Sequence, residues 1–325
     1  MSVESPGRGK KRGGGRMMVP PAEFRSYYGR PIIKAPTWEA DIPAYLFLGG
    51  LMAGSSLLGA GADLTDRPAL RKLSRLTAVG ALSGSFAALV HDLGMPSRFH
   101  HMLRVAKPTS PMSVGTWILT VYGPFAGLAA GSEIANVLPL PRWARSTLRW
   151  SGRPAGLIAA AIAPAVASYT SVLVADTAVP SWHEAYRELP FVFVGSAAAA
   201  AGGVGLLAPL RESAPARILA VGGMALEALA GLRMETVHGV VSEPYREGRG
   251  GRLLKIARAL NVGGGWLAIA GSRNRSMSAV AGASLVAASV CTRFAVFSAG
   301  LQSAEDPKYT VIPQRARIIA RGKAK

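Results

Sequence analysis

IPAYLFLGGLMAGSSLLGAGA, residues 42–62, carries no charged side chain from end to end. About 20 consecutive apolar residues is the length that crosses bilayer hydrocarbon as a helix. Gly, Ala and Ser recur through the run at helical spacing, which lets membrane helices approach closely. These glycines read as packing positions. A phosphate-binding loop would need a strand-to-helix context, and no stretch of the chain offers one. Seven further apolar runs follow, at 76–93, 114–136, 154–176, 189–209, 214–236, 254–271 and 277–300. Pro164 in the fourth and the glycines at 263–265 in the seventh are compatible with membrane helices, because neighbouring helices re-satisfy freed backbone groups. The pattern predicts an all-α membrane protein, a bundle of eight transmembrane helices.

Composition agrees. Of 325 residues, half are hydrophobic and 17% charged, and the charges crowd into the tails and the short segments between apolar runs. The net charge is +19. In a soluble chain this would raise nucleic-acid binding, but no zinc-finger spacing, RNA-recognition signature or basic heptad region is present. Basic loops and tails at membrane surfaces account for it. The expected organisation is a basic, disordered N-terminal tail (1–35), an eight-helix membrane domain (36–300) and a basic C-terminal tail (301–325). No apolar core follows the first basic residues until Ile42, so no cleavable signal peptide is expected, and Met17 or Met18 is an alternative start. Cys291 is the one cysteine and lies in an apolar run. Alone it holds no iron–sulfur cluster, structural zinc or internal disulfide, and reads as a small buried residue.

An even number of spans puts both termini on one side, here the termini side. All five histidines (His91, His100, His101, His183 and His238) fall on or near it, with Trp38, Glu39 and Asp41 just before the first span. Imidazoles and carboxylates move protons near neutral pH, so chemistry is expected at this face. The stretch 89–117, LVHDLGMPSRFHHMLRVAKPTSPMSVGTW, concentrates it between two apolar runs. The opposite loops hold twelve Lys/Arg against Asp63, Asp66 and Glu212 and lean cytoplasmic, while the basic tails argue the other way. Tyr169 and Asp176 lie in the fourth run, Glu227 midway along the sixth and Arg293 in the eighth. Charges at membrane depth face the bundle interior with partners. Glu227 and Arg293, at similar depth, are expected to pair, either structurally or in a proton path. Axial His pairs for haem would have to lie within spans. His91 is at a helix end and the others are in loops, so neither haem nor a zinc site from His100, His101 and His183 is expected.

Three regions carry a resemblance: PTWEADIPAYLFLGGLMAGSSL (36–57), HDLGMPSRFHHMLRVAKPTSPMSVGTW (91–117) and YTSVLVADTAVPSWHEAYRELPFVFVGSA (169–197). Together they resemble the NrfD/PsrC family, the integral membrane subunits of polysulfide reductase and related molybdoenzymes, including some formate dehydrogenases. The resemblance covers roughly residues 36 to 300. It implies an anchor of eight helices without haem, iron–sulfur cluster or metal of its own, in the plasma (inner) membrane. It further implies electron exchange between menaquinone or ubiquinone and a four-cluster iron–sulfur subunit, which connects to a molybdopterin catalytic subunit in anaerobic respiration. The family's quinone pocket is built from the start of span one, the end of span two and span four. Those places hold Trp38, Asp41 and Tyr45, then His91, Asp92 and Arg98, then Tyr169. Tyr169 matches the family's quinone-contacting tyrosine, and His91 and Asp92 are candidates for proton transfer. Polar Asn/His-type residues near the start of span one are replaced here by Glu39 and Asp41. Two other readings stay open: a secondary transporter with a midplane site near Glu227, which would show inverted repeats, and a passive anchor without quinone chemistry.

Overall fold

The computed structural model describes residues 31–323, and their regular structure is helical throughout. In order the helices are α1 (Asp41–Leu64), α2 (Pro68–Asp92), α3 (Pro111–Ile134), α4 (Arg142–Ala175), α5 (Pro180–Glu184), α6 (Leu189–Gly205), α7 (Ala214–Val237), α8 (Glu243–Arg246), α9 (Gly248–Ala270), α10 (Arg275–Glu305) and α11 (Lys308–Lys323). Tighter 3₁₀ turns occupy Pro96–Leu103 and Gly239–Ser242. Seven helices are long and apolar enough to cross a membrane: α1, α2, α3, α4, α7, α9 and α10. The eighth expected span, α6, is apolar but only 17 residues long. Pro190 and Pro209 bracket it, and at 1.5 Å per residue it reaches only about 26 Å. The chain is a multi-pass membrane protein. Most of the expected N-terminal tail (1–35) lies outside the described residues.

The central element is α1, which packs against α2, α4, α6 and α10. It is apolar all round, as a helix buried on every side must be, and 17 of its 24 residues are buried. Small residues set its distance to α6: a side chain at Gly54 would run into the carbonyl of Ala197 and the methyl of Ala201. Arg293 of α10 is fully buried and donates from its Nη2 to the Phe193 carbonyl of α6 at 2.8 Å. Its guanidinium carbon lies 3.9 Å from the centre of the Phe193 ring, and its Nε points to the Leu46 carbonyl of α1.

The expected pairing of Glu227 with Arg293 is corrected here. Glu227 Oε1 accepts from Thr292 Oγ1 at 2.6 Å, and Oε2 accepts from Asn261 Nδ2 at 3.0 Å. Thr292 and Arg293 are consecutive on α10, so they point about 100° apart around the helix. One faces α7 while the other faces α1 and α6. Glu227 feels Arg293 only through space.

At the end away from the termini the helices begin well before the apolar runs. The loops expected at 63–75 and 137–153 are mostly helix, since α2 starts at Pro68 and α4 at Arg142. An ion network makes this extension possible. Arg75 donates to Asp63 Oδ2 of α1 at 3.1 Å and to Glu133 Oε1 of α3 at 2.9 Å, and Arg71 bonds the same two acids at 3.2 and 2.7 Å. Arg75, Asp63 and Glu133 are all buried at the side chain. Gly156 of α4 makes room: a side chain there would strike the Arg75 guanidinium. Glu212, from the α6–α7 connection, accepts from the backbone amides of Ala69 and Leu70 at 2.8 and 3.0 Å and so caps the first turn of α2.

Removing one partner of a buried ion group leaves the others uncompensated, at a cost of about 3–5 kcal/mol. Arg75→Ala should therefore lower the melting temperature of the detergent-purified protein clearly more than Arg71→Ala, whose side chain is 31% exposed. Equal melting curves for the two variants would show that the network is a surface feature with no role in holding α1, α2 and α3 together.

Candidate functional site

The termini side is where α1, α3, α9 and α11 begin and where α2, α4, α7 and α10 end. All five histidines sit there, as the alternation of spans predicts. Each of the three regions singled out in the sequence contributes to one neighbourhood between α1, α2, α3 and α4.

Asp41 opens α1 and His91 lies in the last turn of α2. Imidazole Nδ1 is 2.9 Å from Asp41 Oδ2. The His91 side chain is 79% exposed and Asp41 is 28% exposed, so the pair sits at the boundary between water and protein. Deeper in, the hydroxyls of Tyr45 on α1 and Tyr169 on α4 hydrogen-bond each other. Both phenols are buried. The Tyr169 ring lies against Gly115 of α3, where any Cβ would overlap it, so this glycine is required for the tyrosine to sit as it does. From the helix ends, Tyr45 is four residues in and Tyr169 six, which places the pair about 6–9 Å below the termini face.

Two hydroxyls that bond each other use one O–H between them. The second O–H is left to donate to an acceptor such as a carbonyl. A protonatable pair at the surface and a donor pair beneath it, in an otherwise apolar setting, are what a lipid-soluble carrier of protons and electrons requires.

The remaining expected residues take different places. Trp38 is half-buried and stacks on Trp182, with ring centroids 5.9 Å apart. Asp92 is half-buried beside His91, and Glu39 is exposed. Arg98 stands exposed on the 3₁₀ turn 96–103, as do Arg104 and Lys107 beyond it. Pro96 and Pro111 each open a helical element, a place where the fixed φ of proline is an advantage.

Sequence reasoning missed several groups. Trp182 reads as an interfacial aromatic, yet it is fully buried, donates Nε1–H to the Val296 carbonyl at 2.7 Å and packs on Phe297. The signal available was its setting between Pro180 and a polar loop. By sequence Glu188 is a charge between the fourth and fifth apolar runs. It is buried and accepts from His238 Nε2 at 3.0 Å and from Arg233 Nε at 3.1 Å, which ties the start of α6 to the end of α7. Arg258 and Glu235 pair between α9 and α7. At the termini face, Lys308 binds Glu243 and Arg317 binds Glu184, each at 2.8 Å, so the C-terminal segment expected as a basic tail lies as α11 against the loops. Among the described residues no group of three or more His, Cys, Asp or Glu is arranged to hold a metal ion.

Burial pushes the Glu188 carboxyl up, but the hydrogen bonds from His238 and Arg233 outweigh it and hold the pKa below the ordinary carboxylate value. A depressed folded-state pKa adds stability that is present above the unfolded pKa and lost as pH falls through the folded one. Glu188→Gln should thus be less stable than the wild type at neutral pH. The gap in melting temperature should narrow as pH drops through the carboxylate range. A gap independent of pH over that range would mean that the ionised carboxylate is not what His238 and Arg233 hold.

One family model matches the chain, that described as polysulphide reductase, NrfD, over residues 33–217, more than half of its length. The match runs from just before Trp38 through α1 to α6 and into the first turn of α7, and so contains every residue of the neighbourhood described above. No curated protein matches the sequence.

Proposed function

The chain belongs to the NrfD polysulphide reductase family, a membrane subunit of an oxidoreductase complex, and from that premise we propose that it exchanges electrons between a membrane quinone pool and a partner iron–sulfur subunit docked on the termini face. That partner in turn serves a molybdopterin catalytic subunit, and the assembly sits in the plasma membrane with the termini face outside the cytoplasm. The observation that carries the reading is a water-exposed hydrogen-bonded pair, His91–Asp41, over a buried pair of phenols, Tyr45–Tyr169.

The roles follow from the chemistry of each group. The unused phenolic hydrogen of the tyrosine pair donates to one quinone oxygen and fixes the ring. His91 and Asp41, both reached by water, pass the protons that accompany the two electrons, and Asp92 stands next to them. The apolar surroundings exclude water from the ring. Arg98, Arg104 and Lys107 are exposed at the same face and meet acidic groups of the partner, an attraction that salt screens. A transporter site at Glu227 finds less support, because that carboxylate is held from both sides by Thr292 and Asn261.

Tyr169→Phe in the assembled complex should leave subunit composition intact and slow quinone turnover several-fold, as loss of one hydrogen bond of about 0.5–1.5 kcal/mol implies. His91→Ala combined with Asp41→Asn should also impair quinone turnover, while electron transfer from the catalytic subunit to the iron–sulfur partner, followed with a soluble dye, stays normal. Unchanged quinone kinetics in both variants would remove these residues from the site. A second expectation concerns the isolated chain. It should show neither haem absorbance nor stoichiometric iron, and finding either would overturn the assignment of the redox cofactors to partner subunits.

A further inference from the structure

A cavity of about 330 Å³ lies between α2 and α3, under the 3₁₀ turn 96–103. Its walls are apolar: Leu82 and Leu89 of α2, Leu119 of α3, and a roof of Phe99, Met102 and Leu103. The roof is pinned edge-to-face, the Phe99 ring 5.5 Å from that of Phe86 on α2. Phe86, Phe99 and Leu103 are each about 40–50% exposed, so the outer side of the cavity opens onto the surface that lipid covers. One polar group marks the inner side. The hydroxyl of Ser85 is buried and has no hydrogen-bond partner. Ser83, Thr116 and Thr120 also line the cavity, but their hydroxyls are already bonded to carbonyls of their own helices.

The position of this cavity follows from chain geometry. Leu89 and Val90 line it, and the next residue is His91. Thr116 lines it, and the residue before is Gly115, on which the Tyr169 ring rests. Ser85 is seven residues from the end of α2, about 10 Å below the termini face and so level with the tyrosine pair. The cavity therefore lies along the same turns of α2 and α3 that carry His91 and Gly115, at about the depth of the tyrosine pair, and its outer side opens to the lipid.

We propose that this cavity receives the apolar isoprenoid tail of the quinone, with Ser85 marking the ring end and the turn 96–103 forming a roof over the tail. The inference rests on the quinone reading given above. A lipid-soluble carrier reaches its site sideways from the bilayer, and its tail must leave by an apolar path. A cavity lined by Leu, Phe and Met, closed above and open to lipid, is such a path. The otherwise puzzling turn of 96–103, amphipathic and resting on α2 and α3, gains a purpose as its lid.

Gly123 of α3 lines the cavity, and a Cβ there would meet only Leu82, at an ordinary 3.8 Å. Gly123→Leu therefore starts its side chain without a clash and directs it into the cavity. Gly127, one turn deeper and with open space around it, supplies the control Gly127→Leu. The assembled complex is assayed with two quinols of one ring type: 2,3-dimethyl-1,4-naphthoquinol, which has no tail, and a menaquinol with four isoprene units. Gly123→Leu should raise KM for the tailed quinol roughly tenfold, from loss of one or two buried apolar groups, and leave KM for the tail-less one within about twofold. Phe99→Ala, which removes the roof at an exposed position, should shift KM in the same selective way and guards against a packing defect in the first variant. Ser85→Ala should raise KM for both quinols alike. Equal effects of Gly123→Leu on both quinols, or none on either, overturn the tail assignment while leaving the quinone reading standing. A wild-type complex that turns over neither these naphthoquinols nor the corresponding tail-less and tailed ubiquinols overturns that reading and the tail assignment with it.

Discussion

A guanidinium shut away from solvent has to find its partners inside the protein, and Arg293 sets that condition for the bundle. Insertion scales put a charge at the bilayer centre at about 3 kcal/mol, so the surrounding helices must supply acceptors. Here they are backbone carbonyls of α1 and α6 and the face of the Phe193 ring. For the carbonyls to be in reach, the three helices must approach closely. The small residues of α1 and α6 permit this: a side chain at Gly50 would crowd both Arg293 Nη2 and Ala197. The opening apolar run, its glycines and the distant arginine are thus parts of one constraint.

The two membrane ends are built from different chemistry. At the end away from the termini, arginines and acids neutralise one another around Arg75, and Glu212 caps α2, which fixes α1, α2, α3 and the α6–α7 connection in place. Little there is left to react. At the termini end the ionisable groups are many, and several, His91 and Asp41 among them, stay in contact with water, above phenols that share only one of their two hydroxyl hydrogens. A rigid far end and an accessible near end suit the proposed quinone chemistry at one face. Buried ion groups contribute uncertain net stability, but they cannot slip without stranding a charge, so they hold register well.

Other polar groups in the span region serve packing. Glu227, Asn261 and Thr292 form a hydrogen-bonded set across α7, α9 and α10. Glu188 with His238 and Arg233 does the same between α6 and α7 at the surface. In both, a carboxylate accepts from two donors on neighbouring elements, which adds a polar tie to the packing of those elements.

The sequence by itself determined the fold class, the order of the spans and the face on which the histidines gather. Those properties depend on local quantities: the length of an apolar run, and the alternation of sides from one run to the next. It also pointed to Asp41, Tyr45, His91 and Tyr169, through residue type and resemblance. What pairs with what was decided only by tertiary structure. The rotation of each helix about its axis and the distance to its neighbours are set by packing across the whole bundle, and no local pattern encodes them. So Thr292 took Glu227 while adjacent Arg293 turned the other way, Arg71 and Arg75 left an apparent loop for a buried network, and Trp182 moved from the expected membrane border into the core. The cavity beside Ser85 has the same origin, since empty space between α2 and α3 is a property of how two surfaces meet.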